Sequence, residues 1–219
     1  MKLTVLSPTV EALRELRPEW EDAVEEAGLK GATLEEVLTA LQKRTALRPE
    51  DELVLGEKVV NVESMARTIF VPDDTKPNGS SIAVLAEYDG KRCLLTGDAH
   101  APLLEATLKR LLAEGLPEKL KLDALKVPHH GSRANISIAL LQLLDCPRYL
   151  FSSNGKKYHH PHPEAVARII AHGGDHPTLY FNYRTECNEM WDELKLKEDR
   201  RTPYEAVYPK DGESRLVEL

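Results

Sequence analysis

Two short motifs carry the chemistry that this sequence offers. The first is Leu94-Leu95-Thr96-Gly97-Asp98-Ala99-His100, and the second, about thirty residues later, is Leu125-Lys126-Val127-Pro128-His129-His130-Gly131-Ser132. Each ends an apolar run with a side chain able to hold a hard or borderline cation. Asp98 follows a glycine that lets the chain turn sharply, so its carboxylate points off a strand end, where two oxygens can bridge a pair of divalent ions and acidify a water between them. The bland alternative is a cap on the helix that begins near Ala101. His129 and His130 follow a proline that stops the next apolar run, and imidazole suits zinc and manganese. Neighbouring side chains diverge along a strand, so one of the pair is expected to ligate a metal while the other touches substrate. A surface or capping role is the alternative.

Two further elements are weaker. Tyr149 to Asn154 is an apolar run ending in small polar residues, followed by Tyr158-His159-His160-Pro161-His162-Pro163. A histidine-rich turn entering a helix at Pro163 places N–H donors where an anion could sit, and His160 could donate to a developing oxyanion. Read alone, this is also an ordinary solvated loop. Asn78-Gly79-Ser80-Ser81 could orient a ligand, but its composition equally fits a plain loop.

These residues need strands and helices in alternation to bring them together. Lys2–Ser7 reads as a short buried strand, and Thr9 as the N-cap of a helix with Val10, Leu13, Leu16, Trp20 and Val24 on one face and Pro18 expected to end or kink it. Thr33 to Glu36 is a capping box for a second helix with Leu34, Val37, Leu38 and Leu41 on one face. Arg48 to Asn61 is charged and weakly patterned. Beyond Met65 we expect strands at Thr68–Val71, Ser81–Tyr88 and Lys91–Thr96, the last two joined by an Asp89-Gly90 hairpin turn. A helix over Pro102–Ala113, a strand over Asp123–Val127 and a helix over Ser137–Leu144 follow. Then come a strand at Arg148–Ser152, a helix at Pro163–Ala171 and a strand at Thr178–Asn182. Tyr204–Tyr208 and Arg215–Val217 read as a terminal hairpin. The alternation predicts an α/β domain with helices on one side of a mixed sheet.

Length and composition bound the rest. A chain of 219 residues can bury one core. A net charge of −7, spread along the sequence, argues against whole-surface binding to nucleic acid without excluding a local basic groove. Cys93, Cys146 and Cys187 are odd in number and widely spaced, with no C-x-x-C pair, so a disulfide framework or thiolate knuckle is not expected. A cytoplasmic location, no signal peptide and no membrane span are expected.

Taken in order, N-G-S-S, L-L-T-G-D, K-V-P-H-H-G-S and S-S-N…Y-H-H-P-H resemble the metallo-β-lactamase fold, in the branch that includes the hydrolase domain of the competence DNA-uptake channel protein. The likeness covers roughly Ser7 to Ile170. The Gly-Asp and His-His-Gly-Ser motifs in register are its specific part. It implies a four-layer αββα sandwich with two divalent metals at one edge, zinc foremost and manganese as an option. Asp98 matches the bridging aspartate, and the His129–His130 pair matches the last histidine ligand, with His130 favoured as ligand and His129 turned to substrate. His160 matches a late substrate-facing histidine, and His159 stands where relatives often carry glycine.

The resemblance also exposes a departure. The family's first metal site comes from an H-x-H-x-D-H run, and no histidine precedes His100 here. The whole chain, residues 1–219, is therefore read as the C-terminal half of the sandwich, with a helical insertion at about residues 20–61. The N-terminal half is expected as a separate or cleaved chain. The function implied is a metal-dependent hydrolase lobe, nuclease-like toward a phosphodiester once completed and inactive alone. The alternative is a degenerate, non-catalytic binding or scaffold module. Ser132 as a serine nucleophile lacks the strand–nucleophile–helix context it would need.

Overall fold

The computed structural model describes residues 1–29, 31–33, 35–36, 61–115, 118–192, 203–210 and 217–219. The chain opens with β1 (Lys2–Ser7) and α1 (Val10–Glu26), whose N-cap Thr9 accepts a 3.1 Å hydrogen bond from the Ala12 N–H. Pro18 lies inside α1, and the helix continues for two more turns beyond it. The capping box at Thr33 forms, with the Thr33 N–H donating to the Glu36 carboxylate at 2.7 Å and the Glu36 N–H returning to the Thr33 hydroxyl. The apolar face expected at Leu34, Val37, Leu38 and Leu41, and most of the expected insertion, lie outside the described residues.

After α2 (Val62–Ala66) and the single turn α3 (Lys76–Gly79), the hairpin β2 (Ala83–Tyr88) and β3 (Lys91–Leu95) turns at Asp89-Gly90, both at positive φ as a two-residue hairpin requires. Then follow α4 (Ala101–Ala113), β4 (Leu120–Lys121), β5 (Ala124–Lys126), a 3-10 turn (Pro128–Gly131), α5 (Ile138–Gln142), β6 (Leu144–Asp145), β7 (Arg148–Phe151), α6 (Pro163–His172), β8 (Thr178–Phe181), a second 3-10 turn (Glu189–Asp192) and β9 (Glu205–Val207).

The main sheet has seven strands in the order β1-β2-β3-β5-β7-β8-β9. The first two pairings are antiparallel and the remaining four parallel. The fold is therefore α/β on a mixed sheet. Register puts Leu85, Leu94, Leu125, Tyr149 and Leu179 on one face, and all are buried together with Leu104 and Leu108 of α4 and Val166, Ile169 and Ile170 of α6. Each fully buried aliphatic side chain of this row contributes about 1.5–3 kcal/mol. The opposite face is apolar and open at its antiparallel end: Leu3 is 56 %, Val5 63 % and Leu95 46 % exposed, with Ile82 just before β2 at 68 %.

The structure departs from the sequence reading at several points. β1 is not buried along its length: Leu6 and Ser7 are buried, while Leu3 and Val5 are exposed. Thr68–Val71 is not a strand; it is held instead by side chains, with the Arg168 guanidinium donating to the Thr68 carbonyl. Within Tyr204–Tyr208, β9 pairs in parallel with β8; residues 211–216, which carry most of the turn and of the expected return strand Arg215–Val217, lie outside the described residues. The apolar stripe of α1 does not enter the core, since none of its residues is buried. The short parallel pair β4–β6 has no sequence signal, because two-residue strands are too short to show alternation. No helix among the described residues is long and apolar enough to cross a membrane.

Candidate metal and catalytic site

In a parallel sheet, ligands are taken up beyond the carboxyl ends of the strands, where the loops diverge. Here β3 ends at Thr96-Gly97-Asp98, β5 at Pro128-His129-His130, β7 at Ser152-Ser153-Asn154 and β8 at Asn182-Tyr183, and all four ends line one cleft of about 1370 Å³.

Gly97 turns the end of β3 at φ +52°, and a Cβ there would lie 3.0 Å from the Ile82 carbonyl oxygen. The turn leaves the Asp98 carboxylate part-exposed in the cleft. Asp98 does not cap the helix that follows: the N-cap of α4 is His100, and it makes no side-chain cap bond. The two motifs are joined by a backbone hydrogen bond from the His129 N–H to the Gly97 carbonyl at 3.0 Å.

His129 and His130 are both in the left-handed region, at φ +45° and +58°. The expected divergence belongs to extended chain, and this chain is not extended here. In a tight left-handed turn both rings line the same cleft, with centroids 6.2 Å apart. Gly131 completes the turn at φ +91°, and its missing side chain makes room for Pro161 and Phe151.

His130 Nε2 lies 3.9 Å from Asp98 Oδ1, and its Nδ1 is hydrogen-bonded to the Ser152 carbonyl oxygen. A carbonyl accepts only, so Nδ1 carries a proton and Nε2 is the ring nitrogen turned to the carboxylate. This is the second-sphere arrangement that orients histidine ligands in metal sites. Asp98 and His130 fit part of a divalent site; a structural or catalytic zinc takes three or four protein ligands. Among the described residues no group of three His, Cys, Asp or Glu side chains is placed to hold a metal ion.

His160 is buried, with its ring 5.1 Å from that of His129 and 4.6 Å from that of His162. Burial, then the neighbouring histidines, pushes its pKa down to about 3, so it is a neutral imidazole at pH 7. His162 is likewise lowered, by burial and then by Arg133. His159 has φ +51°, the conformation in which glycine is at ease. Arg133, Lys157, Tyr158 and Tyr183 stand along the cleft. Ser132 accepts from the Ala134 N–H at 3.2 Å, which is a turn role.

The structure adds residues that no motif marks. Asp73 accepts from the Thr75 N–H and hydroxyl, from Asn78 Nδ2 at 2.7 Å and from Asn135 Nδ2 at 3.1 Å. Burial alone would raise its pKa, but these donors hold the carboxyl well below the usual range. His129 Nδ1 lies 3.3 Å from Asp73 Oδ2, and His100 Nε2 lies 3.6 Å from Asp73 Oδ1. Asn135, fully buried, also reaches the Asp98 and Ala99 carbonyls at 3.3 Å and so ties both motifs to Asp73. Asn78, a weak ligand-orienting candidate by sequence, takes a place in this network through its contact with Asp73. Only Asp-x-Thr, a common turn signature, could flag Asp73 in the sequence.

Over part of its length the chain is similar to ComE operon protein 3 of Bacillus subtilis (strain 168), with 34 % identity over 103 residues. The matched segment is 46 % of this chain and 12 % of that protein, so the chain spans a small part of the relative it resembles. No family model matches the chain, and no solved structure matches it.

Proposed function

We propose that this chain is the C-terminal lobe of a metallo-β-lactamase-like αββα sandwich. It acts as a metal-dependent phosphodiesterase, nuclease-like, once an N-terminal lobe supplies the first metal site. The observation that carries this reading is the meeting of Asp98 with His130: two motifs on different strands deliver a carboxylate and an imidazole anchored through Nδ1 to one point of a cleft. The partial likeness to ComE operon protein 3 supports the same branch.

In this reading Asp98 and His130 hold the metal, with His129 beside them. A bound divalent cation would supply Lewis acidity and lower the pKa of a water. This chain's own groups do the rest. His160, neutral and shielded from bulk water, donates a hydrogen bond to charge developing on the scissile group. Arg133 and Lys157, on the cleft wall, meet the phosphate backbone, which gives an acidic protein a local site for an anionic polymer.

The test is cleavage of single- and double-stranded DNA, with zinc or manganese, by the lobe supplied with its complement. Asp98→Ala abolishes turnover and lowers metal content. His160→Ala keeps the metal and loses about 10²–10³ in rate, the scale of one oxyanion donor. Ser132→Ala changes little. Full activity in Asp98→Ala overturns the mechanism. Activity confined to lactones or thioesters removes the nuclease assignment, and absence of metal uptake by the completed protein returns the chain to a binding module.

A further inference from the structure

The buried network behind the cleft has a geometry that the metal reading does not use. His129 Nδ1 faces two acceptors, Asp73 Oδ2 at 3.3 Å and Asn135 Oδ1 at 3.2 Å. The orientation of the Asn135 amide follows from its other contacts. Its Nδ2 lies within 3.3 Å of three oxygens, on Asp73, Asp98 and Ala99, so its oxygen is the atom left for the histidine. One donor, Asn78 Nδ2, also lies 3.3 Å from Nδ1; one of its two hydrogens goes to Asp73 Oδ2 at 2.7 Å and the other competes for the ring, against an ionised carboxylate that can only accept and is the stronger partner. The Asp73 side chain is only 7 % exposed and stays ionised through four donated hydrogen bonds. The His129 ring lines the cleft, whereas Asp73 does not.

We infer that Asp73 is the positioning residue of His129: it fixes the imidazole as the Nδ1–H tautomer and leaves Nε2 as the ring nitrogen available to the cleft. The arrangement is an Asp–His pair in which the carboxylate orients the ring. It parallels His130, where a carbonyl in place of a carboxylate anchors Nδ1. The part that nitrogen plays in catalysis rests on the hydrolase reading; the tautomer does not, so the two fail separately.

The experiment is long-range ¹H–¹⁵N correlation of the histidine rings in the full chain at about pH 8, where unperturbed imidazoles are neutral. The His129 and His130 signals are assigned by their loss in His129→Gln and His130→Gln. Both rings are expected as Nδ1–H, with the bare-nitrogen shift at Nε2. In Asp73→Asn, the His129 pattern is expected to move toward a mixed or Nε2–H tautomer, while His130, anchored on Ser152, keeps its own and reports that the turn is intact. A wild-type His129 found as Nε2–H overturns the inference. So does an Asp73→Asn spectrum with His129 unmoved. If Asp73→Asn fails to fold, the wild-type spectrum alone decides.

Discussion

At the scale of single residues, the cleft is a set of histidines whose protons are placed by their surroundings. His160 is the clearest case. Its folded pKa, about 3, lies below the unfolded value of about 6.5. Between those values the unfolded chain binds the extra proton, so stability rises with pH across that window and falls as the solution is acidified from about pH 6.5 toward 3. In the metal-free chain, His160→Gln is expected to flatten the dependence of the urea midpoint on pH over this range. A wild-type midpoint equal at pH 4 and pH 7, after correction for the carboxylates with a His160→Gln reference, would show that the ring is not held neutral.

At the scale of elements, two features hold the strand-end loops in place. The first is the turn at Gly131. An alanine Cβ would stand 2.7 Å from the Pro161 Cβ and 3.0 Å from the Phe151 ring, at a φ of +91° that alanine resists. Gly131→Ala is expected to cost about 2–3 kcal/mol, combining a backbone term with overpacking, read as a lowered denaturant midpoint. Wild-type stability in that variant would mean the loop is not packed as described. The second is Arg168 on α6, fully buried, donating to the Arg133 carbonyl at 2.6 Å, the Ile136 carbonyl at 2.8 Å and the Thr68 carbonyl at 3.1 Å. One guanidinium thus ties the loop after the histidine turn to the segment after α2. Its fork cannot be copied by an ammonium. Arg168→Met strands three carbonyls and is expected to destabilise by about 3 kcal/mol or more, with Arg168→Lys recovering only part. Thermal melts distinguish these outcomes.

At the scale of the whole molecule, the two faces of the sheet are unequal. One is sealed by α4, α5 and α6. The other presents Leu3, Val5, Ile82 and Leu95 to the surface of the described chain. Sheets bury apolar faces against another layer. On the function proposed above, a second sheet laid against this face would complete the sandwich and bring further side chains to the edge where Asp98 and His130 meet. Val5→Thr with Leu95→Thr is expected to change the stability of the chain by less than about 0.5 kcal/mol, to lower its binding of an apolar dye and to weaken capture of the N-terminal lobe proposed above at least tenfold. Unaltered capture would place the interface elsewhere.

The local signals in this sequence are strong wherever a few adjacent residues decide the outcome. Asp89-Gly90 sets a hairpin turn, and Thr9, Thr33 and Ser137 each cap as their side chains allow. Alternation of strand and helix puts Asp98 and the His129–His130 pair at parallel strand ends, and for that reason their convergence on one cleft is legible in the order of residues alone. What the tertiary structure decides is whatever depends on partners far away in the chain. Asp73 and Asn135 meet across 62 residues, and Arg168 reaches Thr68 across 100. A buried polar group acquires its role from such partners, and no local pattern announces them. The same holds for α1: its periodicity is real, but periodicity gives an apolar stripe without saying that anything covers it. The left-handed turn at His129 and His130 is hidden as well, since the rule for neighbouring side chains assumes an extended backbone. Long-range packing chooses otherwise and turns two adjacent rings into one cleft.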